Sequence, residues 1–440
     1  MKRKAVKRMP SLWSQTVTLP TFPALDRDLD TDVLIIGGGL AGVLCCYYLT
    51  QAGVDCALAE ARTICSGVTK DTTGKITAQH GLIYQKLLRQ FGPDAARLYY
   101  DANREALEEY RRLSQRIDCD FAEEDNFIYA REDLTGLKKE LAALQELDIP
   151  ARFVESLPLP FPTAGAVSFP RQGRFHPLKL VAALAQDLPI YENTAVRELR
   201  PGEAVTEHHT IHTNRTVVCT HFPFLNKHGS YFLKLYQERS YVLALEGAED
   251  FTGMYLDAQK GGLSLRRQGN ALLLGLGGHR PGKPGEDGWT ALSSLANRYY
   301  PSKKELCRWA TQDCVTLDGI PYIGRYSART PSLFVATGFN KWGMTSAMVS
   351  ALVLTDLLTG ADSPYEALFS PSRSILRPQL AVNAMEAAAD LMHFGKKRCP
   401  HMGCALRWNS QERTWDCPCH GSRFTESGNL LDNPASGDLS

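Results

Sequence analysis

Residues 32–61 read DVLIIGGGLAGVLCCYYLTQAGVDCALAEA. Val33–Ile36 is a short apolar run, the pattern of a buried strand. Gly37, Gly39 and Gly42 follow at G-x-G-x-x-G spacing. The first glycine permits a sharp turn. The second lets the backbone approach a pyrophosphate, and the third lets helix and strand pack closely. Leu40–Thr50 has helical character, and its N-terminus offers free N–H groups and a positive dipole end to phosphates. Val54–Ala59 is a second apolar run ending at Glu60, an acid placed to accept hydrogen bonds from an adenosine ribose. Strand, turn, helix, strand and terminal acid together predict a Rossmann-like dinucleotide-binding unit and an α/β fold.

The far end of the chain carries a second pattern, CPHMGC at Cys399–Cys404 and CPCHGS at Cys417–Ser422. Cys399-x-His401 and Cys417-x-x-His420 each pair one Cys with one His, and each box holds an extra cysteine, Cys404 or Cys419. A Cys₂His₂ set can bind zinc. Zinc-finger spacing, however, pairs Cys with Cys and His with His. The two boxes resemble the signature of a Rieske [2Fe–2S] domain, in which two thiolates hold one iron and two imidazoles the other. The resemblance implies Cys399, His401, Cys417 and His420 as cluster ligands and a Cys404–Cys419 disulfide bracing the two loops. Trp415, Ser422 and the run Asn433-Pro434-Ala435 extend it. A full domain of this kind adds a base sheet before the first box. Here AVNAMEAAADLMHFGKK at 381–397 reads as helical. The module is therefore expected to be shortened, all-β in type, and dependent on its cluster or on docking against the rest of the chain.

Three further stretches decide which dinucleotide is bound. Asp318–Gly324 (DGIPYIG), Leu333–Phe339 (LFVATGF) and Gly343-Met344-Thr345 resemble the closing FAD motif of DadA/D-amino-acid-oxidase-like FAD-dependent oxidoreductases, and Trp309-Ala310 resembles its lead-in. The resemblance covers roughly residues 30–370. It implies FAD as cofactor, an interleaved antiparallel-sheet substrate domain, and Gly338, Gly343, Met344 and Thr345 as cofactor-binding residues beside Gly37, Gly39, Gly42 and Glu60. One departure stands out: the family's frequent Arg-Pro after Trp-Ala is Asp313-Cys314 here.

The implied organisation is a lead-in at 1–30, an FAD-dependent oxidoreductase at 31–370, a connector at 371–395 and the cluster module at 396–440. Within the oxidoreductase, FAD-binding parts are expected at about 31–90, 150–225 and 301–365, and substrate parts at about 91–149 and 226–300. With 440 residues, 44% of them hydrophobic, the chain can bury a large core and hold more than one domain. A net charge of +1 offers no bulk reason for nucleic-acid binding. The basic start, Lys2-Arg3-Lys4 and Lys7-Arg8, reads as a solvated tail. No run of eighteen apolar residues predicts a membrane span, and no apolar stretch at the start resembles a secretory signal. Eight of twelve cysteines are scattered outside the boxes, which reads as cytoplasmic thiols rather than a disulfide framework.

Flavin chemistry needs the protein for position and electrostatics. Ser66–Tyr84 (SGVTKDTTGKITAQHGLIY) follows the ribose-binding acid and, by the resemblance, runs past the flavin ring. Lys75 is the candidate for a charged group at the flavin N5 edge, against the plain reading of a surface lysine. Trp342, with Lys341, lies in the glycine turn beside the flavin and is the second catalytic candidate. Gln79, His80, Arg174 and His176 are pocket candidates that ordinary packing would equally explain. Cys307, two residues before Trp309, is a candidate for covalent flavin attachment, though most cysteines are simply buried. The expected function is FAD-dependent oxidation of an amine or amino acid, with electrons passing through a [2Fe–2S] cluster to a quinone, carrier protein or oxygen. The alternative is a redox relay or sensor with no metabolite substrate.

Overall fold

A computed structural model describes residues 10–225, 228–283, 288–377, 379–383, 385 and 397–439. The basic start and most of the 381–397 segment lie outside the described residues. Three sheets organise the chain. The first is built on Leu29–Ile36, which pairs in parallel with Cys56–Ala59 on one side and Thr210–Val218 on the other. Ile190–Tyr191 and Leu333–Thr337 extend it in parallel, and Tyr322–Arg325 closes one edge antiparallel. The central strands are apolar because helices cover them: Val33, Leu34 and Ile35 are fully buried. Helix Leu40–Gln51 packs beside helix Gly343–Thr359, so the two glycine-led helices rise side by side from the sheet.

The second sheet has nine strands and is mainly antiparallel. Its order runs Glu305–Thr316, Leu235–Glu246, Ala271–His279, Ser264–Gln268, Met254–Asp257, Ala122–Ala130, Gly165–Arg174, Lys75–Ile76, with Arg152–Val154 also paired to Gly165–Arg174. This corrects the sequence division in several places, Lys75–Ile76 and Arg152–Val154 among them. Gly165–Arg174 and Glu305–Thr316 fall in segments expected to belong to the FAD-binding part, yet both pair in the substrate-side sheet. Helix Pro93–Ser114, expected on the substrate side, packs against Gly343–Thr359, with the Tyr110 hydroxyl donating to the Met344 carbonyl at 2.7 Å. Strand Thr210–Val218 ends at Val218, and Cys219–Phe222 continues as a loop.

The third sheet is an antiparallel meander of Arg407–Asn409, Thr414–Asp416, Arg423–Thr425 and Leu430–Asp432. It follows the first cysteine box and threads the second. Among the described residues no helix is long and apolar enough to cross a membrane.

Candidate functional site

The glycine turn is held by contacts that leave no room for a side chain. A Cβ on Gly42 would sit 1.9 Å from the Gly37 carbonyl oxygen, so helix and turn touch there backbone to backbone. Gly37 has φ +109°, and a Cβ on it would meet the Cys219 carbonyl oxygen at 2.7 Å. Gly39 differs: its Cβ direction meets only Thr69 Oγ1, at 3.4 Å. The first and third glycines thus close the fold, and the second keeps the approach to the helix N-terminus clear. Glu60 follows its strand and accepts from the backbone N–H groups of Gly38 at 2.7 Å and Arg62 at 2.8 Å.

These residues open onto a cavity of about 1020 Å³. Gly37, Gly39, Glu60, Gly338, Trp342, Gly343 and Met344 all line it. A cavity of this size lined by a helix N-terminus, a clear glycine and a terminal acid suits a dinucleotide. Thr345 is a correction: it is fully buried outside the lining, its hydroxyl donating to the Thr77 carbonyl at 3.1 Å. Its side chain braces the loop before His80.

Lys75 is no surface lysine. It sits in a short strand, is 7% exposed, and donates from Nζ to the Tyr255 carbonyl at 2.9 Å and Ser264 Oγ at 2.7 Å. Burial, with Arg266 nearby, lowers its pKa to about 7. A permanently charged lysine was expected; the amine is instead poised to gain or lose its proton near neutrality. Trp342 lines the cavity and stacks on His80, centroids 4.6 Å apart. His80 in turn meets the Tyr99 hydroxyl at 2.7 Å and lies outside the lining. Gln79 is committed to the Val167 carbonyl and to Asn126. Arg174 pairs with Glu124 and His176 caps helix Pro177–Leu184, so neither reaches the cavity. Cys307 is buried away from the lining, where Cys314 stands instead.

At the other end of the chain the two boxes converge. Cys404 and Cys419 are joined as a disulfide. The rings of His401 and His420 lie perpendicular, 4.9 Å apart. His420 Nδ1 is buried without a hydrogen-bond partner, an atom free to ligate. Burial lowers both imidazoles, His401 to about 4 and His420 to about 3, so both are neutral donors. The Cys399 and Cys417 sulfurs hydrogen-bond each other. That bond, helped by the Ser422 hydroxyl, lowers the Cys399 thiol to about 7. Ser422 Oγ also accepts from the Ala435 N–H at 3.0 Å, which ties the covering loop to the site. Cys404, Cys419 and His420 also present their ligand atoms within 4.8 Å of one another, but the first two sulfurs are bonded together. Two thiols and two neutral imidazoles remain, the donor set of a Rieske cluster.

The cluster module sits on the oxidoreductase. Gln237 Nε2 donates to the carbonyls of His420 and Asn433, both at 2.8 Å. Gln312 Nε2 donates to the Gly421 carbonyl at 2.7 Å and to Gln237 Oε1 at 2.9 Å. Asn433 Nδ2 donates to the Thr220 carbonyl at 2.6 Å, and His420 Nε2 meets the Phe232 carbonyl at 3.1 Å. The Phe222 ring stands edge-on to His401 and His420, at 6.1 and 6.3 Å. Glu412 is gripped by Arg239 at 2.6 Å and Arg423 at 2.9 Å. These docking residues escaped sequence reasoning. A polar run, Gln237-Glu238-Arg239, inside an otherwise apolar strand was the available signal.

Comparison with known proteins agrees with this geometry. The family model described as FAD dependent oxidoreductase matches residues 32–357, and that of the Rieske [2Fe-2S] domain matches 375–440. A putative Rieske 2Fe-2S iron-sulfur protein, YhfW of Bacillus subtilis (strain 168), is 35% identical, with 96% of this chain and 95% of that protein covered. Glycine oxidase from Geobacillus kaustophilus superposes with a TM-score of 0.67 at 21% identity, over 79% of this chain and all of that one. L-Proline dehydrogenase from P. horikoshii gives 0.65 at 17% identity, over 80% and 98%.

Proposed function

Because this chain belongs to the FAD dependent oxidoreductase family and ends in a Rieske [2Fe-2S] domain, we propose that it oxidises an amine or amino acid and passes the electrons from FAD through the cluster to an external acceptor. Bound FAD supplies a two-electron acceptor for a C–H bond beside nitrogen, and a bound [2Fe–2S] cluster supplies a one-electron carrier. Gly37, Gly39, Glu60, Gly338, Gly343 and Met344 would hold the first; Cys399, His401, Cys417 and His420 would hold the second. The seating of the cluster module on the cavity wall carries this reading. Cys219, Thr220 and His221 line the cavity, and the next residue, Phe222, packs against both cluster imidazoles. Gln237 and Gln312 fix the backbone of the second box against the same wall. Two cofactors arranged this way need no diffusing partner between them.

The chain's own residues supply the rest. Lys75 can take or give a proton at Nζ near neutral pH, and Trp342, stacked on His80, forms part of the cavity lining. Stopped-flow mixing of the anaerobic holoenzyme with substrate tests the relay. Cluster reduction at a rate independent of protein concentration is expected. A rate proportional to concentration would place the transfer between chains and refute the reading.

A further inference from the structure

The cavity floor is a two-stranded ladder whose charge pattern bears on the substrate. Leu235–Glu246 and Glu305–Thr316 run antiparallel, with Tyr236 opposite Val315, Glu238 opposite Asp313 and Ser240 opposite Thr311. Directly opposed residues share a face of the sheet, and all six line the cavity. Two carboxylates therefore face the cavity side by side, an arrangement that disfavours the sheet unless a cation compensates. Glu238 has its compensation: Lys260 lies at 2.7 Å and Lys341 at 2.9 Å. Burial raises its carboxyl, and these two lysines outweigh burial and hold it below the usual range.

Asp313 has no such clamp. Its carboxylate makes no hydrogen bond and no ion pair among the described residues, and Lys341, already paired with Glu238, only partly offsets a burial that raises the acid to about 6. On the same face, two residues before it, Thr311 Oγ1 is buried and also without a partner. The next strand of the same sheet places Gly277 beside Ser240 and Gly275 beside Val242, and both glycines line the cavity. An unpaired carboxylate and an unsatisfied hydroxyl on one face of the cavity together suit an ammonium group.

That ammonium cannot be the nitrogen being oxidised. The reacting nitrogen must be uncharged, because its lone pair becomes part of the C=N bond of the product. A nitrogen held as a cation is therefore a different one. We propose that Asp313, with Glu238 beside it, binds the distal ammonium of a diamine or polyamine, and that an α-amino acid, which would bring a carboxylate to this wall, is not the substrate. This rests on the amine-oxidising reading above and narrows it.

The test uses the FAD-loaded full chain under anaerobic conditions. Putrescine and spermidine are compared with glycine, alanine and proline for flavin reduction, and hexamethonium, a bis-quaternary dication with no lone pair to oxidise, is titrated against the flavin spectrum. Putrescine or spermidine should reduce the flavin and the amino acids should not. Asp313→Asn should raise the KM for the diamine roughly 10- to 100-fold, the value of a hydrogen bond to a charged group, with kcat moved far less. Asp313→Glu should recover most of the loss. Hexamethonium should perturb the flavin spectrum of the parent and not of Asp313→Asn. Reduction by the amino acids alone, or an unchanged KM in Asp313→Asn, overturns the proposal. Should no amine reduce the flavin, the oxidation reading falls, and hexamethonium decides separately. An Asp313-dependent perturbation upholds the cation site, and none refutes it.

Discussion

Gly42→Ala and Gly39→Val separate two jobs that adjacent glycines of one motif perform. In Gly42→Ala the new methyl would lie 1.9 Å from the Gly37 carbonyl oxygen. Carbon and oxygen need more than 3 Å, so helix Leu40–Gln51 must withdraw from the turn by roughly 1 Å. Both neighbours are backbone at the centre of the sheet, so no side-chain rotation relieves the clash. Overpacking of this kind costs about 1–3 kcal/mol, a large part of a net stability of roughly 5–15 kcal/mol. The helix N-terminus moves with it, so FAD is lost as well. Gly39→Val behaves differently. Gly39 has ordinary extended dihedrals, φ −75° and ψ 178°, and its Cβ direction meets nothing closer than Thr69 Oγ1 at 3.4 Å. The fold should tolerate the side chain, which then occupies the approach a pyrophosphate needs. The assay is thermal unfolding of the flavin-free proteins alongside the ratio of flavin absorbance to protein. Gly42→Ala should lower both the melting temperature and FAD content; Gly39→Val should lower FAD content alone. A Gly42→Ala protein with parental melting temperature and full FAD would refute the reasoning.

Lys75→Met should slow flavin reduction or reoxidation in stopped flow while leaving FAD bound, since the lysine touches the substrate-side sheet and not the glycine turn; unchanged rates in both half-reactions would remove it from the site. The same variant has a pH signature. The folded pKa of Lys75, about 7, lies below its unfolded value of 10.5, so the unfolded chain binds more protons between those limits and parental stability rises with pH across that window; in Lys75→Met this component should vanish, and an equal slope would count against a buried neutral amine. Cys417→Ser should abolish the Rieske EPR signal, and persistence of that signal would disprove the ligand set. Ser422→Ala removes a hydrogen bond to the Cys399 sulfur and should lower the cluster potential by roughly 40–90 mV, if the bond is about 1–2 kcal/mol stronger in the reduced state; Phe424→Tyr should raise the potential where its hydroxyl reaches the cluster, and redox titration followed by EPR reads both. Glu412→Gln leaves Arg239 buried without its anion, while Arg423 keeps Asp416 and Asp432, and should destabilise the docked module by about 3–5 kcal/mol, read as loss of the cluster signal at a lower temperature than in the parent.

Parts of this molecule were legible because their causes are local in sequence. The glycine turn works through residues within six positions of one another, so spacing alone exposes it. The two boxes place two Cys and two His proposed as ligands and two bridging cysteines at fixed spacing, and no other residues have to be located to recognise them. What was not legible depends on register between distant strands. Gly165–Arg174 belongs to the substrate-side sheet because it pairs with Ala122–Ala130 and Lys75–Ile76, and nothing in its own composition says so. Cys307 and Cys314 are both odd polar-neighboured cysteines in one strand, yet only Cys314 reaches the cavity. Lys75 read as a loop lysine because a two-residue strand leaves no periodicity to see.

The docking of the cluster module follows the same rule, and it explains why a short module can suffice. Strand Leu235–Glu246 presents Glu238 to the cavity, while Gln237, which also borders it, and Arg239 reach the second box and Glu412. A strand's alternation of faces lets one segment serve both sides. The cluster module itself borders the cavity, through Leu430–Asp432, Asn433 and Ala435. Buried amides from Gln237 and Gln312 satisfy carbonyls of the second box that would otherwise be stranded in an apolar seam. The ion pairs of Glu412 with Arg239 and Arg423 add a buried charge clamp at its edge. The oxidoreductase thus contributes packing and hydrogen bonds to the module. The same contacts hold its imidazoles beside Phe222, so what stabilises the module also fixes the second box against the cavity wall.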